Sequence, residues 1–276
     1  MSIMSTFWLV FVFAISWQVL YWAILCISPH VSSSFHKLDD AKGEKGYWAA
    51  SLVSTVHAFV IVIVCICAVW QEPSLIYSSE FFQGTSLSLL AMQIFLGYIF
   101  CDVLISLYYN ARWPGWIANM IHHFCVAIVW SQALLGDYAH GVAVVLMTME
   151  FTTPFINLRW FLSKTNKSDS SLYFANGILM IVMWFIFRIV GYIFAGWLLY
   201  NQREGLLSES VPIFNRVVFL TTFLIGFLLM VFWFHKMVAG ALKILRQQAG
   251  GAKSEPLEDE NDEQSAESDS ESQYSS

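Results

Sequence analysis

The sequence predicts an all-α integral membrane protein of seven transmembrane helices, one accessory helix followed by a six-helix unit. Three observations carry that prediction. Of 276 residues, 57% are hydrophobic and 12% charged, where a soluble domain carries about 25% charged residues. Seven apolar runs, roughly 4–28, 47–70, 86–109, 115–135, 138–161, 172–200 and 212–237, each have about the length that crosses a bilayer core. Finally, eleven Lys and Arg residues fall in the odd loops and the C-terminal flank, against only Arg203 and Arg216 on the other side. The excess assigns the odd loops and C-terminus to the cytosol and the N-terminus to the lumen or exterior.

The first run lacks a basic n-region and is too long for a cleaved signal peptide, so it reads as a retained anchor. Trp8, Trp17, Tyr21 and Trp22 suit the membrane interface. A long polar loop, Pro29 to Gly46, separates this anchor from the rest, which gives residues 1–46 as anchor and loop and 47–240 as the six-helix domain. Residues 241–276 form a basic amphipathic segment, expected along the cytosolic membrane surface, and then an acidic, serine-rich tail. The tail has too few apolar side chains to offset its ordering entropy. Its serines among acids are candidate phosphorylation sites. The five cysteines lie in apolar runs and suggest no disulfide framework.

Within the runs, polar residues recur at helical spacing. Helix two carries Ser51, Ser54 and His57; helix three carries Tyr98, Asp102, Ser106 and Tyr109. In helix four, Asn119 sits one turn before the adjacent pair His122-His123. Neighbouring residues on a helix point about 100° apart, so one imidazole is expected to face an interior and the other a neighbouring helix. Helix five aligns Glu150, Thr153, Pro154 and Asn157 on one face. Pro154 has no N–H, so a kink and a freed Glu150 carbonyl are expected there, satisfied by protein or water. Helix six places Arg188 one turn from Trp184 and Tyr192, which can stack on its guanidinium.

Counting residues from the helix ends puts Asp102, His122 and His123 roughly 10 Å from the cytosolic side and His57 and Glu150 roughly 15 Å, with Arg188 deeper at roughly 24 Å. An isolated charge at the bilayer centre costs about 2.5–3.5 kcal/mol on insertion scales. Clustering lets an acid and a histidine stabilise each other, so His122, His123, Asp102 and Glu150 are the candidate catalytic set. His57, Asn119, Asn157, Arg188 and Tyr98 are the candidate cavity lining. No metal site is expected, because histidines that share a metal on a helix are spaced so that both rings face one way.

These residues resemble the TLC (TRAM–Lag–CLN homology) domain family. The resemblance is carried by Gly97-Tyr98-Ile99-Phe100-Cys101-Asp102, by His122-His123 on the next helix, and by Glu150-Phe151-Thr152-Thr153-Pro154-Phe155-Ile156-Asn157-Leu158-Arg159-Trp160. Ser54-Thr55-Val56-His57 and Asn176-Gly177-Ile178-Leu179-Met180 fit as well, and the match runs roughly from Tyr47 to Lys236. The resemblance implies a multi-pass protein of the endoplasmic-reticulum type whose six helices enclose a lipid-accessible cavity. In the ceramide synthases of the family, paired histidines and intramembrane acids serve fatty acyl transfer from acyl-CoA to a sphingoid base. Carried over, His122 and His123 match the paired histidines. The His-Asp-x-x-Asp acids of the synthases are absent, and Thr148 to Pro154 offers one acid and a proline instead.

Two functions follow as expectations. One is an intramembrane acyltransferase-like enzyme in sphingolipid or phospholipid homeostasis, with acyl-CoA as a substrate, no cofactor, and Lys45, Arg112 and Arg159 as a basic rim for its phosphates. The other is a non-catalytic lipid-binding regulator of membrane composition. Both take a lipid or fatty-acyl partner within the bilayer and no nucleic acid.

Overall fold

The computed structural model describes residues 3–109, 112–113 and 115–249. The acidic tail and the Asn110, Ala111 and Pro114 positions of the third loop lie outside the described residues. Among the described residues the fold is all helical. Seven helices are long and apolar enough to span a membrane: α1 (Ile3–Val31), α2 (Glu44–Gln71), α3 (Ser86–Tyr109), α4 (Trp116–Gly136), α5 (His140–Lys164), α6 (Ser171–Asn201) and α7 (Ile213–Ala249).

Helix α3 is the axis of the bundle, and its sequence shows why. Every side chain from Ala91 to Ile99 is buried, so the helix is covered on all sides by α1, α2, α4 and α5. Gly97 lets α1 lie directly on it: a Cβ there would stand 2.8 Å from the Val10 carbonyl oxygen and 2.7 Å from the Phe13 Cβ. Small residues at helix crossings allow such backbone approach in a membrane. Val10, Trp17 and Tyr21 of α1 accordingly belong to the same apolar core as α2, α3 and α4.

Two helices depart from α geometry where the polar residues sit. In α5, the α-helix over His140–Met147 tightens to a 3-10 segment at Thr148–Thr152 and resumes at Thr153. The Glu150 carbonyl, deprived of its i+4 donor by Pro154, is satisfied within the protein. The tighter winding lets Thr153 N–H donate to the Glu150 carbonyl, so that oxygen needs no water despite Pro154. In α6, Trp184–Val190 winds as a π-type segment. The wider turn turns both Trp184 and Arg188 inward, and both are buried. Helix α7 has 37 residues, about 55 Å of helix. The basic segment expected along the membrane surface instead continues α7 without a break.

Both ends are closed by directed contacts. At the end bearing the loops after α2, α4 and α6, Ala139 N–H donates to Phe81 O at 2.8 Å and Gln202 Nε2 donates to Ser78 O at 3.1 Å. There too, buried His140 bridges α3 and the α4–α5 turn: Nε2 donates to Asp137 Oδ1 at 3.0 Å, and Nδ1 stands 2.8 Å from Ser88 Oγ. At the C-terminal end, Trp113 Nε1 donates to Gly43 O at 3.1 Å, and the Trp113 ring stacks on Tyr109 and meets Tyr47 edge-on.

Candidate functional site

The polar residues of the bundle form two clusters joined by the histidine pair. The first lies between α2, α3, α4 and α5. His123 Nδ1 stands 3.0 Å from Asp102 Oδ2, with the side chains 10% and 12% exposed. The ring N–H does not point along that line, so the contact is a close polar approach rather than an aligned hydrogen bond. The Tyr98 hydroxyl donates to Asp102 Oδ1 at 3.5 Å, a long bond, and also meets Ser54. Asn157 closes the cluster by offering its amide N–H groups to Ser51 O at 2.8 Å, Ser54 Oγ at 2.7 Å and Thr55 Oγ1 at 2.8 Å. Two amide protons share three acceptors, which ties α5 to α2.

The second cluster lies between α5, α6 and α7. Arg188 Nη2 stands 3.6 Å from Glu150 Oε1, its Nε donates to Thr152 Oγ1 at 2.7 Å, and its guanidinium lies 4.5 Å over the Trp184 ring. Thr153 Oγ1 donates to Glu150 Oε2 at 2.6 Å. Trp184 Nε1 in turn donates to the Met230 carbonyl at 3.1 Å, fixing the ring under the arginine. An arginine 6% exposed thus has an acid, a hydroxyl and an aromatic face around it. A buried charge needs that company.

His122 stands between the clusters. Its ring centroid is 5.6 Å from that of His123 and 5.7 Å from that of Trp233, which in turn meets Trp184 edge-on at 6.2 Å. His122 also lines a narrow slot between α4, α6 and α7, with Cys125, Val129, Tyr192, Phe223 and Gly226. The slot follows the α4 stripe of residues 122, 125, 126, 129 and 130, about 12 Å along the helix. The adjacent rings therefore diverge as helix geometry requires, His123 to Asp102 and His122 to the slot.

The remaining expected residues fall as follows. His57 does not line the slot: it is 0% exposed, its ring stacked on Tyr98 at 3.8 Å and edge-on to Trp17 at 5.5 Å. Its role is to back Tyr98, because α1 covers the face of α2 from which it projects. Asn119 is half-buried near the start of α4. Arg188, which residue counting put deeper than Glu150, reaches it with its guanidinium, Nη2 standing 3.6 Å from Oε1. In the basic rim, Lys45 pairs with Asp40 at 2.5 Å and Arg159 lies 4.1 Å over the Tyr173 ring. Sequence reasoning missed Thr152 and Thr153 as arginine partners, and Cys125 and Gly226 in the slot. A search at i+3, i+4, i+7 and i+8 from His122 finds the α4 side of the slot.

The TLC domain matches residues 47–239, most of the chain. The chain belongs to the TLC domain family. Within it, this TLC protein is 26% identical to the TLC domain-containing protein 4-B of Danio rerio, over 83% of this chain and 88% of the relative. It is 25% identical to the TLC domain-containing protein 4 A of Dictyostelium discoideum, over 72% and 75%. It is 29% identical to the human TLC domain-containing protein 1, over 66% and 68%. No solved structure matches. The family and the seven apolar helices make this a multi-pass membrane protein.

Proposed function

We propose that this TLC protein is an acyltransferase-like enzyme of endoplasmic-reticulum-type membranes, acting on fatty acyl groups with His122 as the reacting base or nucleophile. The observation that carries this reading is the division of labour in the histidine pair: His123 stands against Asp102, while His122 lines an apolar slot between α4, α6 and α7. In the step proposed, an imidazole nitrogen of His122 attacks the carbonyl carbon of an acyl thioester. The C–S bond breaks to leave an acyl-imidazole, and the thiolate leaves as a thiol with the proton that His122 gives up from its other nitrogen. An amine or hydroxyl acceptor then attacks the acyl-imidazole; its proton passes by way of His123 to the departing imidazole, so that His122 is restored neutral. Asp102 stabilises the charge that His123 gains.

The test is acyl transfer by purified protein in nanodiscs, given acyl-CoA and sphingoid bases or lysolipids as acceptors. Wild-type transfer that disappears in His122→Ala is the expected result. Absence of any wild-type transfer across both acceptor classes would overturn the enzymatic reading.

One observation favours a second reading, a lipid-binding regulator without turnover. The slot encloses about 30 Å³, room for one or two waters, so a chain enters only when α6 and α7 part. A protein that senses lipids by such opening needs the slot but not the imidazole. Full rescue of a knockout's lipid profile by the His122→Ala, His123→Ala double variant would support it.

A further inference from the structure

Charge is divided unevenly between the two ends of the bundle. The end carrying the loops after α1, α3 and α5 and the close of α7 holds ten Lys and Arg against four Asp and Glu. Two of those acids already serve local cations, Asp40 with Lys45 and Glu44 with Lys164. Lys37, Lys42, Lys167, Lys243 and Arg246 are exposed on the same end. The opposite end holds two basic and five acidic residues. Past Ala249 the chain continues for 27 residues, of which nine are acidic and one basic, and without them the formal charge changes from −6 to +2.

We propose that this acidic tail, from Glu255 to Glu271, docks on the basic C-terminal face of its own bundle. The charges are complementary and the reach suffices. Glu258 follows Ala249 by nine residues, up to about 30 Å of extended chain, whereas Lys243 lies about 9 Å back along α7. The loop after α1 lies farther off, because α7 packs on α4 and α6 rather than on α1, but Glu271 follows Ala249 by 22 residues, up to about 70 Å of extended chain. Covalent attachment keeps the tail at an effective concentration of order millimolar, so contacts that are individually weak suffice in sum. Contacts between exposed charges are screened beyond about 8 Å at physiological ionic strength, so the docked state is salt-sensitive.

Zero-length carbodiimide crosslinking of the full chain in phosphatidylcholine nanodiscs tests the proposal. Intramolecular crosslinks from Glu255, Glu258 or Asp259 to Lys42 or Lys243 are expected, falling by roughly threefold or more in molar salt. Replacing the tail acids with Gln and Asn in the full chain removes the same crosslinks without touching the bundle. Tail carboxylates that link only to a second molecule, or link to no bundle lysine, overturn it. Crosslinks that vanish in nanodiscs containing phosphatidylserine overturn it too, because anionic headgroups would then hold the face in a natural bilayer.

Discussion

Arg188 is a single charge on which the deeper half of the polar core depends. Removing it leaves Glu150 without its cation, and breaking one partner of a buried pair costs roughly 3–5 kcal/mol. Arg188→Met is expected to lower the thermal unfolding midpoint in detergent well below that of Arg188→Met combined with Glu150→Gln, in which no charge is stranded. Equal midpoints would show that the 3.6 Å approach contributes nothing. Asp102 and His123 behave differently, as a unit acting on His122. Under the proposed chemistry, Asp102→Asn and His123→Ala each lower acyl transfer about ten- to a hundredfold, and the double variant is no worse than either. Additive losses measured in the same nanodisc assay would separate the two residues. At this scale much was legible. The 100° step between adjacent helical residues foretold that the two histidines divide, and the acid of Gly97–Asp102 is the one His123 meets. His57 was not legible, because what covers it is α1, a helix whose contacts no spacing in α2 reveals.

The elements that depart from α geometry are those that carry Glu150 and Arg188, and local winding is what the sequence hid. Pro154 announced a disturbance in α5, yet not that five residues would tighten and give the Glu150 carbonyl to Thr153. Nothing comparable marks Trp184–Val190 in α6, whose seven residues are aromatic or aliphatic apart from Arg188. A wider turn there is selected by tertiary contacts, the arginine to Thr152 and the indole to Met230, both long-range. The slot between α4, α6 and α7 depends on Gly226: a Cβ at that position would stand 2.1 Å from the Tyr192 hydroxyl. Gly226→Val is therefore expected to push Tyr192 into the slot and shorten the acyl chain accepted, read as a shift toward short donors in acyl-CoA competition. An unchanged chain-length profile would remove the slot from the acyl path. At the other end of the bundle, Ser88→Ala deletes the hydroxyl facing His140 Nδ1. A loss of about 1 kcal/mol in unfolding free energy is expected, with acyl transfer unchanged, because neither Ser88 nor His140 lines the slot.

For the molecule as a whole, hydrophobic length alone fixed seven spans, and the helices found keep the order and nearly the limits of the seven apolar runs. Length could not reveal that α1 packs one face on the core, since an anchor and an integrated helix have the same composition; Gly97, with Val10 and Phe13 against it, decides that. Which end faces the cytosol rests on charge. The C-terminal end, with its loops, is basic and the other is not, and basic loops are retained in the cytosol during insertion. Glycosylation acceptors turn this into a measurement. Asn166-Lys167-Ser168 is a natural acceptor sequence on the loop between α5 and α6, at the basic end, and Asn166 takes a left-handed φ of 57° in a turn. Tyr77, exposed in the loop after α2 at the opposite end, stands two residues before Ser79, so Tyr77→Asn completes an acceptor there. On translation into microsomes, the wild-type chain is expected to remain unmodified and the Tyr77→Asn chain to gain one glycan, read as a mobility shift reversed by endoglycosidase. A glycan on Asn166 would invert the bundle, and would place the basic end, Asp102 and His123 on the lumenal side, away from cytosolic acyl-CoA.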